Sequence, residues 1–263
     1  MSRKEIIGPY ELHLGDCVEV LRDIGQVQAL ITDPPYSDHV HSSSMRGASG
    51  WKGAIAVERE LGFASITVDQ IQAMASFAGS KVARWSAVFS DTESAHIWRE
   101  AFEEVGLEYV RTAFWRKLNG APQFTGDRPA VACEAITLCH APGRKSWNGG
   151  GKQGFYDIPI VLDRGGPNHE TRVHTTQKPL ALMGALICDF TLPEEVVLDA
   201  FMGSGTTGVA CVRYGRRFVG IEADAAHFET ACRRIEAATK QPDLFVVQAV
   251  AKPQQLSLME PAE

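Results

Sequence analysis

Val196-Val197-Leu198-Asp199-Ala200-Phe201-Met202-Gly203-Ser204-Gly205-Thr206-Thr207-Gly208 opens on a short apolar run, breaks at two glycines and continues in a helical pattern to Tyr214. The apolar run reads as a buried strand, and Gly215 stops the helix that begins at Thr206. Arg217 to Glu222 is the next strand. Strand, helix and strand in that order make a crossover unit, which joins parallel strands. Gly203 and Gly205 permit a tight turn and close approach of backbone to a ligand. Glu222, at the end of the second strand, is placed to accept hydrogen bonds from two ribose hydroxyls. The spacing of Gly203, Gly205 and Gly208 also fits a dinucleotide, so these residues alone leave the kind of nucleotide open.

The same grammar recurs upstream. Val27-Gln28-Ala29-Leu30-Ile31-Thr32 is a second buried strand, and Asp33-Pro34-Pro35-Tyr36 follows it. Two prolines must end the strand, because neither donates a backbone hydrogen bond and both fix φ. An acid, two rigid carbonyls and an aromatic ring are thus held just past a strand's carboxyl end, the edge where open α/β sheets bind ligands.

The remaining elements alternate in the same way. Strands are expected at Tyr10 to Asp16, Val82 to Ser90, Leu107 to Arg116 and Val131 to Cys139. Helices are expected from Cys17 to Ile24, from the capping box at Thr67 through about Ala78, from Thr92 to Val105, from Pro179 to Phe190, and from Asp224 to about Ala238. The fold expected is a doubly wound, mostly parallel α/β sheet in a single domain. Residues 37–60 are polar and aperiodic, and read as a mobile loop. Residues 118–173 are the least regular stretch, an insertion, and 241–263 form a polar, proline-bearing peripheral tail.

Of 263 residues, 44% are hydrophobic and 22% charged, the balance of an ordinary globular protein. No stretch offers the roughly 18 apolar residues of a membrane span, and the first residues lack the apolar core of a signal peptide. A cytoplasmic protein without a membrane partner is expected. Cys17, Cys133, Cys139, Cys188, Cys211 and Cys232 show no zinc-ligand spacing and read as small buried residues in a reducing compartment; no metal site is expected. The net charge of −6 is unevenly spread: −7 over 1–109, +5 over 110–180 and −4 over 181–263. A basic middle between acidic flanks suits a surface that faces phosphate.

Asp33-Pro34-Pro35-Tyr36, the Asp199 to Thr207 turn, and His174-Thr175-Thr176-Gln177-Lys178-Pro179 together resemble the amino-DNA methyltransferases. The order, with the acid-proline-proline half first and the glycine turn second, is similar to the circularly permuted β class of that family. The likeness spans most of residues 10–238. It implies a Rossmann-like methyltransferase fold, S-adenosyl-L-methionine as cofactor, and methylation of an exocyclic base nitrogen in double-stranded DNA, nearest the adenine-N6 type. The insertion at 118–173 would carry target recognition.

By the same resemblance, Asp33, Pro34, Pro35 and Tyr36 would be catalytic. Asp199, Phe201, Gly203, Ser204, Gly205, Thr206 and Thr207 would wrap the cofactor, Glu222 would hold its ribose, Asp16 would meet its adenine and Lys178 would steady its carboxylate, with Asp33 beside it. Thr175 stands where the family's motif often has proline. His39, Trp51, Lys52, Arg111, Arg116, Lys117, Arg128, Arg144, Lys145 and Lys152 are the candidates for DNA contacts.

The chemistry gives these roles a reason. An exocyclic amine is a poor nucleophile because its lone pair is delocalised into the ring. Asp33 and the Pro34 carbonyl are adjacent acceptors on stiff backbone that can engage its hydrogens. The base must leave the duplex first, at a few kcal/mol, and the 37–60 loop is placed to close over it. Cytosine-N4 methylation is the alternative on the same acceptors. Methylation of an RNA or protein amide, or an inactive DNA-binding relative, stand further off. A second copy of the chain and a cognate restriction endonuclease are the further partners expected.

Overall fold

The computed structural model describes residues 3–35, 65–124, 126–162 and 177–240. Nine strands form one sheet in the order β1-β2-β9-β8-β3-β4-β6-β5-β7. The strands are β1 Arg3–Ile7, β2 Tyr10–Leu14, β3 Val27–Thr32, β4 Val82–Ser90, β5 Glu108–Arg116, β6 Cys133–His140, β7 Phe155–Asp157, β8 Val196–Asp199 and β9 Arg217–Glu222. The helices are α1 Cys17–Val20, α2 Val68–Lys81, α3 Ala95–Glu104, α4 Leu180–Phe190, α5 Thr206–Arg213 and α6 Ala225–Lys240. The β2–β9, β9–β8, β8–β3, β3–β4 and β5–β7 pairs are parallel. β1 and β6 run against their neighbours.

Both faces of the sheet are covered, as the apolar content of the central strands requires. Alternation along each strand divides the core. Ala29 and Ile31 of β3 and Trp85, Ala87 and Phe89 of β4 meet Leu182, Met183 and Leu186 of α4, Val209 and Ala210 of α5, and Phe228, Ala231 and Ile235 of α6. Val27, Leu30 and Val88 face the other way, onto Met74, Ala75 and Phe77 of α2 and Trp98 and Phe102 of α3. Helices on both faces make the sheet doubly wound.

Most expected elements form within a residue or two of their expected ends. The Thr67 hydroxyl and Gln70 close a reciprocal capping box on α2. Asp224 caps α6 through the His227 amide, at 2.9 Å. Three expectations need revision. The helix read from Cys17 to Ile24 is a single α-turn, after which Leu21 and Ile24 are buried from turns rather than from a helix. β1 is an edge strand of mostly polar residues, too weakly patterned to be read. β7, three residues on the opposite edge, lies inside the span read as insertion. That span also supplies β6, which inserts between β4 and β5, so two segments of 118–162 belong to the sheet. The 37–60 loop, the 241–263 tail and residues 163–173 lie outside the described residues.

Between β3 and β8 the strand order reverses direction: β4 lies on one side and β9 on the other. This switch point is where two crossovers leave the sheet in opposite directions and open a crevice above the strand ends. The junction is locked by one buried bond. The Thr32 hydroxyl at the end of β3 donates to Asp199 Oδ1 at the end of β8, at 2.7 Å. Asp199 also accepts from the Thr207 hydroxyl at 2.6 Å and from the Phe201 amide at 3.1 Å. Replacing Thr32 by valine keeps the shape and removes one of these three donors from a buried carboxylate. It should cost about 1–3 kcal/mol in urea unfolding with the slope of the transition unchanged.

Candidate active site

The crevice has two walls. The first is the β3 end. Asp33 and Pro34 follow Thr32 directly, Pro34 is buried, and Asp33 is partly so. Lys178, two residues before α4, donates from Nζ to Asp33 Oδ2 at 2.5 Å. The same ammonium lies 3.1 Å from Glu134 Oε2 on β6, and Lys117, just past β5, sits 2.7 Å from Glu134 Oε1. Asp33 Oδ1 is buried and accepts no hydrogen bond from the described residues. An unsatisfied buried acceptor is costly and marks a place where a donor is expected to arrive.

The charges around Asp33 shape its titration. Burial pushes its carboxyl up, to about 6, the Lys178 ammonium pulls it down, and Glu134 and Asp199 repel it upward again. Burial works against the Lys178 ammonium, but Asp33 and Glu134 more than offset it, so this lysine holds its proton more tightly than a free one. The ammonium also lies over the rings of Phe89, at 5.2 Å, and Trp115, at 5.8 Å.

The second wall is the glycine turn between β8 and α5, which has a front and a back. Toward the crevice are Phe201 and Gly203, both part-exposed. Gly203 has φ +52°, and a side chain there would meet nothing within 4 Å. Toward the interior are Ser204, Thr206 and Thr207, all buried. Gly205, at φ +81°, is pressed on α6, where a methyl group would come within 2.8 Å of Ala231 Cβ. Arg234 of α6 grips the turn from behind, donating to the Ser204 carbonyl at 2.7 Å and its hydroxyl at 2.8 Å.

Glu222 closes the far side. Its Oε2 accepts from the Gly203 amide at 2.9 Å and its Oε1 from the Asp224 amide at 2.8 Å. Burial raises its carboxyl, and these backbone donors and His227 oppose the rise. Each oxygen keeps a further lone pair for a ligand hydroxyl. Asp16 lies alongside, because the Gly15 amide donates to the Glu222 carbonyl at 2.9 Å. Asp16 caps α1 through the Val18 amide at 2.8 Å.

A family model described as DNA methylase, the N6/N4 family, matches residues 27–233. The chain belongs to the N6/N4 DNA methylase family. The Type II methyltransferase M2.DpnII of Streptococcus pneumoniae is 30% identical over 153 residues, which cover 52% of this chain and 54% of that protein. The match thus spans about half of that relative. The Type II methyltransferase M.HinfI of Haemophilus influenzae is 23% identical over 264 residues, covering 91% of this chain and 72% of that protein. Among solved structures, the M1.HpyAVI–SAM complex superposes with a TM-score of 0.64 at 26% identity, over 85% of this chain and 98% of that one. The cytosine-N4-specific PvuII DNA methyltransferase also gives 0.64, over 87% and 89% of the two chains, but at 15% identity it shows the shared fold alone.

Within this DNA methylase the residues expected to wrap the cofactor divide in two. Phe201, Gly203, Glu222 and Asp16 line the crevice. Asp199 has both oxygens occupied by protein donors, and Thr207, Ser204, Gly205 and Thr206 face α6 or the core. These five build the turn from behind. Lys178, expected at the cofactor carboxylate, is bonded to Asp33 and Glu134. Lys117, expected at DNA, belongs to the same charge cluster. Four other basic candidates are engaged with acids, among them Arg116 with Asp157 at 2.5 Å, Arg128 with Asp127 at 2.9 Å, and Lys145 with Glu108. Lys152 binds Asp189 at 2.6 Å. Arg111 and Arg144 are exposed. Tyr36, His39, Trp51 and Lys52 lie outside the described residues, as do residues 174–176.

Sequence reading missed Glu134 and Arg234. A single acid in the otherwise apolar Val131 to Cys139 stretch was the one available signal for Glu134. Arg234 offered none, being one of two arginines on an amphipathic helix. Arg234→Ala should leave the fold intact and slacken the turn, raising the Kd for S-adenosylmethionine about tenfold in calorimetric titration.

Proposed function

We propose that this DNA methylase transfers a methyl group from S-adenosylmethionine to the N6 amino group of an adenine flipped out of double-stranded DNA. The observation that carries the reading is Asp33 Oδ1, a buried acceptor with no partner among the described residues, at the mouth of a crevice whose other wall suits a nucleoside. Asp33 as the first residue of the Asp-Pro-Pro-Tyr motif favours adenine over cytosine. The fold is common to both base types.

The crevice fits the cofactor on its own features. Open space above Gly203, the half-exposed ring of Phe201 and the spare lone pairs of Glu222 suit a methionine moiety and a ribose diol, with Asp16 at the adenine end. When bound, S-adenosylmethionine supplies an electrophilic methyl on a sulfonium. The chain's own part is to prepare the nucleophile. Asp33 Oδ1 accepts one hydrogen of the target amine, and the Pro34 carbonyl, next along the chain, is placed to accept the other. Holding both lets the nitrogen become tetrahedral and frees its lone pair. Lys178 keeps Asp33 oriented through Oδ2, so the carboxylate needs no reorganisation when the base arrives. As the new N–C bond forms, the nitrogen must lose one proton, and Asp33 Oδ1 receives it.

Target recognition falls to the 118–173 span, with Arg111 and Arg144 as exposed cations for phosphate. The reading extends to a restriction-modification setting, with a cognate endonuclease and a second copy of the chain as partners. Sedimentation of the protein with and without DNA tests the second copy.

Asp33→Ala should abolish DNA methylation while S-adenosylmethionine still binds. Nucleoside analysis of methylated DNA should return N6-methyladenine, and N4-methylcytosine in its place would reassign the base. Asp33 can take up the amine's proton only when ionised. Its raised carboxyl therefore predicts that single-turnover rates fall as pH drops through about 6 and level off above it.

A further inference from the structure

Four charges alternate in a line that starts at the acceptor and ends near solvent. Asp33 Oδ2 takes the Lys178 ammonium at 2.5 Å, that ammonium is 3.1 Å from Glu134 Oε2, and Glu134 Oε1 is 2.7 Å from the Lys117 ammonium. Lys178 and Glu134 are buried, with 8% and 7% of their surface exposed. Their floor is Trp115: the Lys117 ammonium lies 5.3 Å and the Lys178 ammonium 5.8 Å from its ring. The Trp115 indole is itself pinned by its Nε1–H to the Ile158 carbonyl at 2.7 Å. Phe89 of β4, Trp115 of β5 and Glu134 of β6 thus back the line, while Asp33, Lys117 and Lys178 join it from just outside regular elements.

A buried acid this close to an ammonium faces conflicting demands. Asp33 must be ionised to receive the amine's proton, and Lys178 favours that state. An ammonium wholly committed to Asp33 would also draw off the electron density the target amine needs. A second carboxylate on the same ammonium divides its pull. Glu134 is buried, so its charge acts at low screening. Lys117 in turn divides the pull of Glu134. We propose that Glu134, backed by Lys117, is a positioning residue that apportions the Lys178 ammonium and so sets how strongly Asp33 accepts the target amine. The inference rests on Asp33 being that acceptor.

The charged groups acting on Asp33 are Lys178 from before α4, Glu134 from β6 and Asp199 from β8. Two variants displace the balance in opposite directions. Glu134→Gln removes a repelling charge and lets Lys178 bear more on Asp33, so Asp33 becomes a weaker base. Lys117→Met leaves Glu134 to pull harder on Lys178, so Asp33 becomes a stronger one. Single-turnover methylation of DNA against pH should show the acidic limb of Glu134→Gln moved down, and that of Lys117→Met moved up, by about half a pH unit or more. The plateau of Glu134→Gln should be about tenfold lower, and Glu134→Asp should recover part of it.

A merely structural role would not move the limb in opposite directions for the two variants. Limbs that stay in place, or move the same way, overturn the inference. If Glu134→Gln does not fold, Lys117→Met, whose side chain sits at the rim, decides alone by the direction of its limb. Loss of methylation in Asp33→Ala with S-adenosylmethionine binding kept leaves the acceptor reading intact, so an unmoved limb in the two variants then counts against Glu134 only. Activity retained in Asp33→Ala would instead remove the acceptor reading and this inference with it.

Discussion

One hydroxyl joins the two halves of this protein. Thr32 ends the strand that carries Asp33, Asp199 ends the strand that carries the glycine turn, and the bond between them is buried. Asp199 cannot be left short of donors there, because burial raises its carboxyl and the hydrogen bonds from Thr207, Thr32 and the Phe201 amide offset part of that rise. Satisfying that carboxylate fixes three things together: the spacing of β3 from β8, the first peptide of the turn, and the start of α5. The crevice is what remains above a junction that has no freedom to vary.

The glycine turn shows how one motif serves two physical ends. Gly203 is open on the ligand side and tied to Glu222 by its amide. Gly205 is closed on the helix side, where α6 leaves no room for a side chain. Arg234 then fastens the same turn from the rear through two contacts to Ser204. Residues that a motif groups together thus divide between lining the crevice and holding the backbone that lines it.

Much of this was legible in the chain because it follows from local chemistry. Strand ends announce themselves where Pro34 and Pro35 deny the backbone its donors, and where Gly203 and Gly205 permit positive φ. Asp33, Asp16 and Glu222 could be placed because each directly follows or ends a readable strand. The antiparallel insertion of β6 between β4 and β5 could not be read, since nothing local to Cys133–His140 names its neighbours. β1 and β7 escaped because edge strands bury too little to show a clear alternation. The partners of Lys178 and Lys117 went unread for the same reason. A lysine's sequence context says that it is charged, whereas its partner, Glu134, comes from another strand.

The Thr32–Asp199 bond closes a separation of 167 residues. Loop-closure entropy must be met before such a contact returns anything, and contacts of this range form late. β3 and β8 share only the short register Ala29 with Val197 and Leu30 with Leu198, too little to hold without β4 and β9 on either side. During synthesis, then, the acid motif emerges early and waits without its counterpart. A chain cut anywhere between the two motifs would carry half a crevice and no means of closing it, so the acceptor and the glycine turn meet only when nearly the whole sheet is in place.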